Sequence, residues 1–170
     1  MPAAGQPAPD FTLPRDGGGQ VSLSSFRPGK VVLYFYPKDD TPGCTVEACD
    51  FTAGIARFEK LQAVVLGCSG DSPASHRKFI TKHKLAVRLL ADEDQAVMTR
   101  YGAYGEKMMY GKKVTGVIRS TVIIDPAGKV AHHWAKVQAK GHAEAVRAKL
   151  AELQGEPAVA PAKKKAASKA

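Results

Sequence analysis

Three short, unbroken apolar runs constrain this chain more than any other feature: "VVLYFYP" (Val31–Pro37), "AVVLGCS" (Ala63–Ser69) and "VRLLAD" (Val87–Asp92). Each is rich in β-branched, aromatic or leucine side chains and is bounded by polar or turn residues. Runs of this kind read as strands buried on both faces. Strands buried on both faces need helices to cover them, and stretches of helical spacing follow each run. The expected architecture is α/β, a mixed central sheet flanked by helices.

The other elements follow from local signals. Phe11–Leu13 and Val21–Phe26 flank "PRDGGGQ", which predicts an N-terminal β-hairpin. A helix is expected from Pro42 to about Leu61, with Val46, Phe51, Ile55, Phe58 and Leu61 as its apolar stripe. Ser72 and Pro73 read as the cap and first position of the next helix. Asp94–Tyr101 predicts a short helix, and the Gly- and Lys-rich residues 102–117 an irregular loop. "RSTVIID" and "KVAHHWA" read as two strands joined by "PAG". A last helix, Gly141–Leu153, places Ala145, Val146, Leu150 and Leu153 on its apolar face.

Charge bounds the function. The formal net charge is +9, of which residues 156–170, "EPAVAPAKKKAASKA", carry +3. That segment lacks apolar periodicity and is expected to be a disordered, solubilising basic tail, with weak polyanion contact as the alternative, following a single domain over residues 1–155. No nucleic-acid motif and no membrane-spanning run is legible. Three cysteines and no apolar leader point to a reducing compartment, hence to the cytoplasm.

The chemistry gathers at "TPGCTVEAC", Thr41–Cys49. Parallel strands joined by helices share a direction, and sites form at their carboxyl ends. Pro37 closes the first such strand, so Cys44 falls in the first turn of a helix at that end. A free thiol ionises near pH 8.5, but unpaired N–H groups and the positive helix terminus favour the thiolate, and a nearby cation adds to this. Cys44 therefore reads as a nucleophile. Cys49 and Cys68 can each be read as buried apolar groups. His132 and His133 point to opposite faces of a strand and do not form a metal pair; His76, His83 and His142 are expected to be solvated on helices.

"PKDDTPGC", Pro37–Cys44, resembles the Pro-x-x-x-Thr-x-x-Cys signature of the peroxiredoxins. "APDFTL", "FYPKDDTPGCTVEACDF", "HRKF", "KKVTGVIRSTVIIDPAGKV" and "KGHAEAV" are similar, in order and spacing, to the bacterioferritin comigratory protein (peroxiredoxin Q) branch. The resemblance spans about Gly5 to Leu153. It implies a thioredoxin-like fold and reduction of hydroperoxides, including hydrogen peroxide, with thioredoxin as electron donor and no cofactor or metal.

Residue by residue, the resemblance makes Cys44 the peroxidatic cysteine and Cys49 the resolving one. Thr41 would hydrogen-bond the peroxide and the thiolate, Pro37 would shield the sulfur, and Arg119 would be the active-site arginine. Cys68 and the lysine tail lie outside the branch pattern. Two rivals are a thiol–disulfide oxidoreductase, which would normally carry Cys-x-x-Cys, and a basic thioredoxin-fold binding protein without peroxidase activity.

The spacing of the two cysteines sets a condition. Within one regular helix their Cα atoms would lie about 8.7 Å apart, on faces roughly 140° apart. A disulfide needs Cα atoms within about 7 Å and converging Cβ vectors. The first helical turns must then unwind on oxidation. Because both thiols lie on one segment, a monomer suffices.

Overall fold

The apolar runs pair as expected in the computed structural model, which describes residues 3–26 and 29–153. The central sheet contains β3 (Lys30–Phe35), β4 (Ala63–Ser69), β5 (Arg88–Ala91), β8 (Ser120–Ile124) and β9 (Val130–Trp134), in the order β5-β4-β3-β8-β9. β3, β4 and β5 are parallel, whereas β8 and β9 run antiparallel to their neighbours. The parallel strands step in one direction, so right-handed crossovers place their connecting helices on one face.

That face holds α1 (Pro42–Ala53), α2 (Ile55–Lys60), α3 (Pro73–His83) and the last helix, α5 (His142–Leu153). Its core joins Val32, Tyr34, Tyr36 and Ile123 of the sheet region to Phe51, Phe58, Phe79, Val146 and Leu150. The opposite face packs Val31, Leu33, Phe35, Leu66 and Val122 against the N-terminal segment and α4 (Ala96–Arg100), through Phe11, Leu13, Met98 and Tyr101. Alternate residues of β3 thus face different cores, and all of Val31–Tyr36 is buried.

Several expectations change. The N-terminal hairpin pairs β1 (Thr12–Pro14) with β2 (Gln20–Ser22), but Leu23–Phe26 turns into a 3-10 helix. There the Ser25 hydroxyl donates to the Ser22 carbonyl (2.6 Å), and the Ser24 N–H to Asp10 Oδ1 (3.3 Å), in place of a strand ladder. The long helix divides at Gly54, whose N–H closes on the Asp50 and Phe51 carbonyls at 3.2 Å each. Glycine is a poor helix interior residue, and the break lets α2 turn toward β4.

Residues 102–117 are not irregular. They contain the hairpin β6 (Tyr104–Met109) and β7 (Lys112–Val117), joined by Tyr110 and Gly111 with φ of 52° and 78°. Both loop residues are left-handed, as a two-residue hairpin turn of matching twist requires. The hairpin packs mainly on itself, so no apolar alternation marks it. Val46 is exposed, as are Ala145 and Leu153; α5 is instead buried through His142, Ala143, Val146, Leu150 and Ala151. His76 and His142 are buried rather than solvated, and His83 pairs with Asp40 at 2.9 Å. The expectations for residues 156–170 lie outside the described residues.

Candidate active site

α1 begins where β3 and its loop deliver it. Thr41 occupies the cap position in extended backbone (φ −100°, ψ 157°), and Pro42 fills the first helical position. The first helical N–H to find a carbonyl is that of Thr45, which bonds Thr41 at 2.8 Å. The N–H groups of Gly43 and Cys44 lie in the first turn, where a helix supplies no internal acceptor. Cys44 is therefore a buried thiol, 1% exposed, at a positive helix terminus.

Arg119 reaches it through the sheet. β8 runs antiparallel to β3 with Phe35 opposite Ser120, so Arg119, just before β8, arrives at the carboxyl end of β3. Its Nη2 donates to Cys44 Sγ at 3.2 Å, and its Nη1 to Glu47 Oε1 at 2.6 Å. One planar guanidinium thus bridges two side chains spaced one helical turn apart. A Cβ on residue 43 would lie 3.1 Å from that Nη2, so Gly43 leaves room for the contact.

Glu47 was not anticipated from the sequence, although an acid three residues after a first-turn cysteine shares its face. It is fully buried, and its Oε2 has no hydrogen-bond partner among the described residues. Burial raises its pKa to about 7 against the opposing pull of Arg119. Burial alone would lower the pKa of Arg119, but Cys44 and Glu47 raise it above its ordinary value, so the guanidinium remains cationic. The Tyr34 hydroxyl is likewise buried and without a partner among the described residues; burial, then Glu47 and Cys44, push its pKa up and keep it a neutral phenol.

The remaining candidates differ in placement. Thr41 donates its hydroxyl hydrogen to the Lys38 carbonyl (2.9 Å), not to the sulfur. Pro37 is half-buried at the start of the same loop. Cys49 is half-buried further along α1, and Cys44, Cys49 and Cys68 are all free thiols. Cys68 belongs to the opposite core, with Phe35 and Leu66, and burial drives its pKa well up. The sheet separates it from Cys44, which packs with Tyr34 and Ala48. His142 accepts or donates at Thr121 Oγ1 (2.8 Å), and burial, then Arg119, lowers its pKa to about 4. A cleft of about 420 Å³ lies elsewhere, between the α1–α2 break and α5, lined by Asp50, Arg57, Glu144 and Arg147.

A thioredoxin-like sheet presenting a first-turn cysteine to an arginine defines a thiol peroxidase. Comparison with known proteins agrees. Residues 4–133 match the AhpC/TSA family. The chain is 53% identical to the putative peroxiredoxin bcp of Helicobacter pylori over 142 residues, covering 84% of this chain and 93% of that one. It is 40% identical to peroxiredoxin Bcp of Escherichia coli over 143 residues, covering 84% and 92%. A solved structure of the Xanthomonas campestris bacterioferritin comigratory protein, described for its alkyl peroxide reduction, superposes with a TM-score of 0.82 at 42% identity, covering 88% and 98%. The Xylella fastidiosa PrxQ gives 0.85 at 34% identity, covering 92% and 99%. The chain belongs to the AhpC/TSA family, in its bacterioferritin comigratory protein (peroxiredoxin Q) branch.

Proposed function

We propose that this peroxiredoxin reduces hydrogen peroxide and organic hydroperoxides with Cys44 as the attacking thiolate and Cys49 as the second thiol. The observation that carries the reading is the Arg119 Nη2–Cys44 Sγ contact of 3.2 Å at a helix start. The Arg119 cation and the N–H groups of the first helical turn face the sulfur that attacks. During attack the S–O bond forms as the O–O bond breaks, and negative charge develops on the departing oxygen. The same fixed donors stabilise that charge, and the oxygen leaves as water or an alcohol after taking up a proton. Thr41, whose oxygen keeps its lone pairs, and Pro37 shape the entrance.

The resulting Cys44 sulfenic acid condenses with the Cys49 thiol, forming a disulfide and releasing water. α1 is regular from Pro42 to Ala53, so its first turns must open for this step. The two halves of the helix are held differently: Phe51 stacks on Tyr34 (centroids 4.7 Å apart) in the second, while Cys44 and Glu47 are buried against Arg119 in the first. Opening the first turns breaks the Arg119 contacts at Cys44 and Glu47 but leaves the Phe51 packing, about 2–3 kcal/mol for one buried phenylalanine, in place.

Two electrons and two protons from a dithiol protein of the thioredoxin kind regenerate both thiols. Such recycling suits the cytoplasm. Both cysteines belong to one chain, which suits a monomer. Among the described residues no helix is long and apolar enough to cross a membrane. Peroxide consumption with a thioredoxin system tests the reading. Cys44→Ser should abolish turnover, and peptide mapping after one equivalent of peroxide should find a Cys44–Cys49 bond. More than trace activity in Cys44→Ser, or a Cys44–Cys68 bond as the main product, would overturn the assignment.

A further inference from the structure

The loop from β3 to α1 holds two consecutive acids, and both are fastened to α3. Asp39 is 7% exposed; its Oδ1 accepts from the Tyr36 hydroxyl at 2.6 Å and its Oδ2 from the Ser75 hydroxyl at 2.7 Å. The same Oδ2 lies 2.7 Å from Nδ1 of His76, a fully buried ring whose Nε2 lies 2.8 Å from the Leu90 carbonyl. A carbonyl only accepts, so Nε2 carries hydrogen and ties the ring to β5. The backbone N–H of Asp39 donates to Asp71 Oδ2 at 2.8 Å. Asp40, in left-handed backbone (φ 59°), meets Lys82 at 2.8 Å and His83 at 2.9 Å. The Asp40 pairs are exposed and weak; the Asp39 contacts are buried and strong.

Position in the chain gives these contacts their meaning. The Thr41 hydroxyl returns to Lys38, and the Thr41 carbonyl receives the first helical hydrogen bond of α1. Everything before Thr41 is thereby tied to α3 and the sheet. From Pro42 to Cys49 no side-chain hydrogen bond reaches α3 among the described residues: those present are of Arg119 at Cys44 and Glu47, and Cys44 and Ala48 pack in the core beneath the helix.

We propose that Asp39 and His76 are positioning residues that form the fixed pivot of α1. They hold the loop still while the first turns unwind, and so set how oxidised Cys44 divides between two fates. In one, sulfenic acid and the Cys49 thiol give a disulfide and water. In the other, sulfenic acid reacts with a second hydroperoxide to give sulfinic acid and an alcohol or water. The wound helix keeps Cys44 against Arg119 and permits the second reaction; the unwound helix delivers it to Cys49. The inference rests on the peroxidase reading given above.

Amide exchange on the wild-type protein is the first test. After one equivalent of peroxide, exchange should rise from Gly43 onward through Cys49 while the Asp39 N–H stays protected. Loss of Asp39 protection together with that of α1 overturns the pivot. A wild type that forms no Cys44–Cys49 disulfide would instead overturn the functional reading, so the two failures are distinguishable.

Variants give the second test. Asp39→Ala should slow peroxide attack about tenfold, near the effect of losing one buried hydrogen bond. It should also lower the sulfinate-to-disulfide ratio about tenfold under excess peroxide, because α1 unwinds more readily. Asp39→Asn should restore most of both, since its amide can donate to Nδ1 while Nε2–H keeps Leu90. A loss of thermal stability in Asp39→Ala with an unchanged ratio makes the cluster merely structural and refutes the proposal. Should Asp39→Ala fail to fold, the Asp39→Asn ratio and the wild-type exchange profile decide: wild-type-like partition with a protected Asp39 N–H supports the pivot, and any other result refutes it.

Discussion

Replacing Glu47 by Gln should change how stability depends on pH, in a way that burial alone dictates. The carboxyl is fully buried, and its folded-state pKa is about 7 against an ordinary value of 4.5. A carboxylic acid with a raised folded pKa favours folding least when ionised. Stability is therefore lost as pH rises from about 4.5 to about 7 and then levels off. A shift of roughly 2.5 units at about 1.36 kcal/mol per unit is about 3 kcal/mol. Gln cannot ionise, so Glu47→Gln should lack this loss. Its amide will leave a buried donor where Oε2 now lacks a partner, a constant penalty of about 1–3 kcal/mol. The informative quantity is thus the difference between the two pH profiles, not either stability alone. Other titrating groups are common to both proteins and cancel in that difference. Denaturant unfolding of wild type and Glu47→Gln, with the cysteines reduced, should show the two free energies converging toward pH 8 or crossing, relative to their separation at pH 4.5. Parallel profiles across that range would refute the assignment of a buried, titrating carboxyl beside Arg119.

Arg119→Ala should cut the rate of peroxide attack by about two orders of magnitude, since one fixed donor to developing charge commonly contributes that much. Arg119→Lys should also be impaired, because a single ammonium cannot reach Cys44 and Glu47 with the geometry of the fork; stopped-flow oxidation measures both. Cys68→Ala should leave peroxide turnover within about twofold of wild type and cost roughly 1 kcal/mol of stability, because the thiol fills the far core; a steady-state assay and a melting curve check this. Deleting residues 156–170 should leave turnover and melting temperature nearly unchanged, and a large loss of either would mean that the segment packs on the domain.

Local chemistry already identified the main elements from the residues. The runs Val31–Pro37 and Ala63–Ser69 were recognisable as strands because a both-face burial pattern is written in consecutive side chains. Cys44 stood out for a similar reason: the turn, the cap and the proline that start α1 are its immediate neighbours. The β6–β7 hairpin was not legible, since backbone pairing stabilises it with little core-facing side-chain pattern. His76 and His142 were misplaced because helical spacing does not say which polar residue finds a buried partner.

By itself, then, the sequence determined an α/β core and a cysteine at a helix start, both products of contacts within a few residues. Only the tertiary structure decided what surrounds that cysteine. The antiparallel register of β8 on β3 brings Arg119 to Cys44 across 75 positions. The helical turn that places Glu47 beside it also buries the carboxyl, which raises its pKa. The sheet assigns Cys68 to the opposite core. α3 reaches back to hold Asp39 across 37 positions. Each depends on pairing between distant segments, whose closure no local preference encodes.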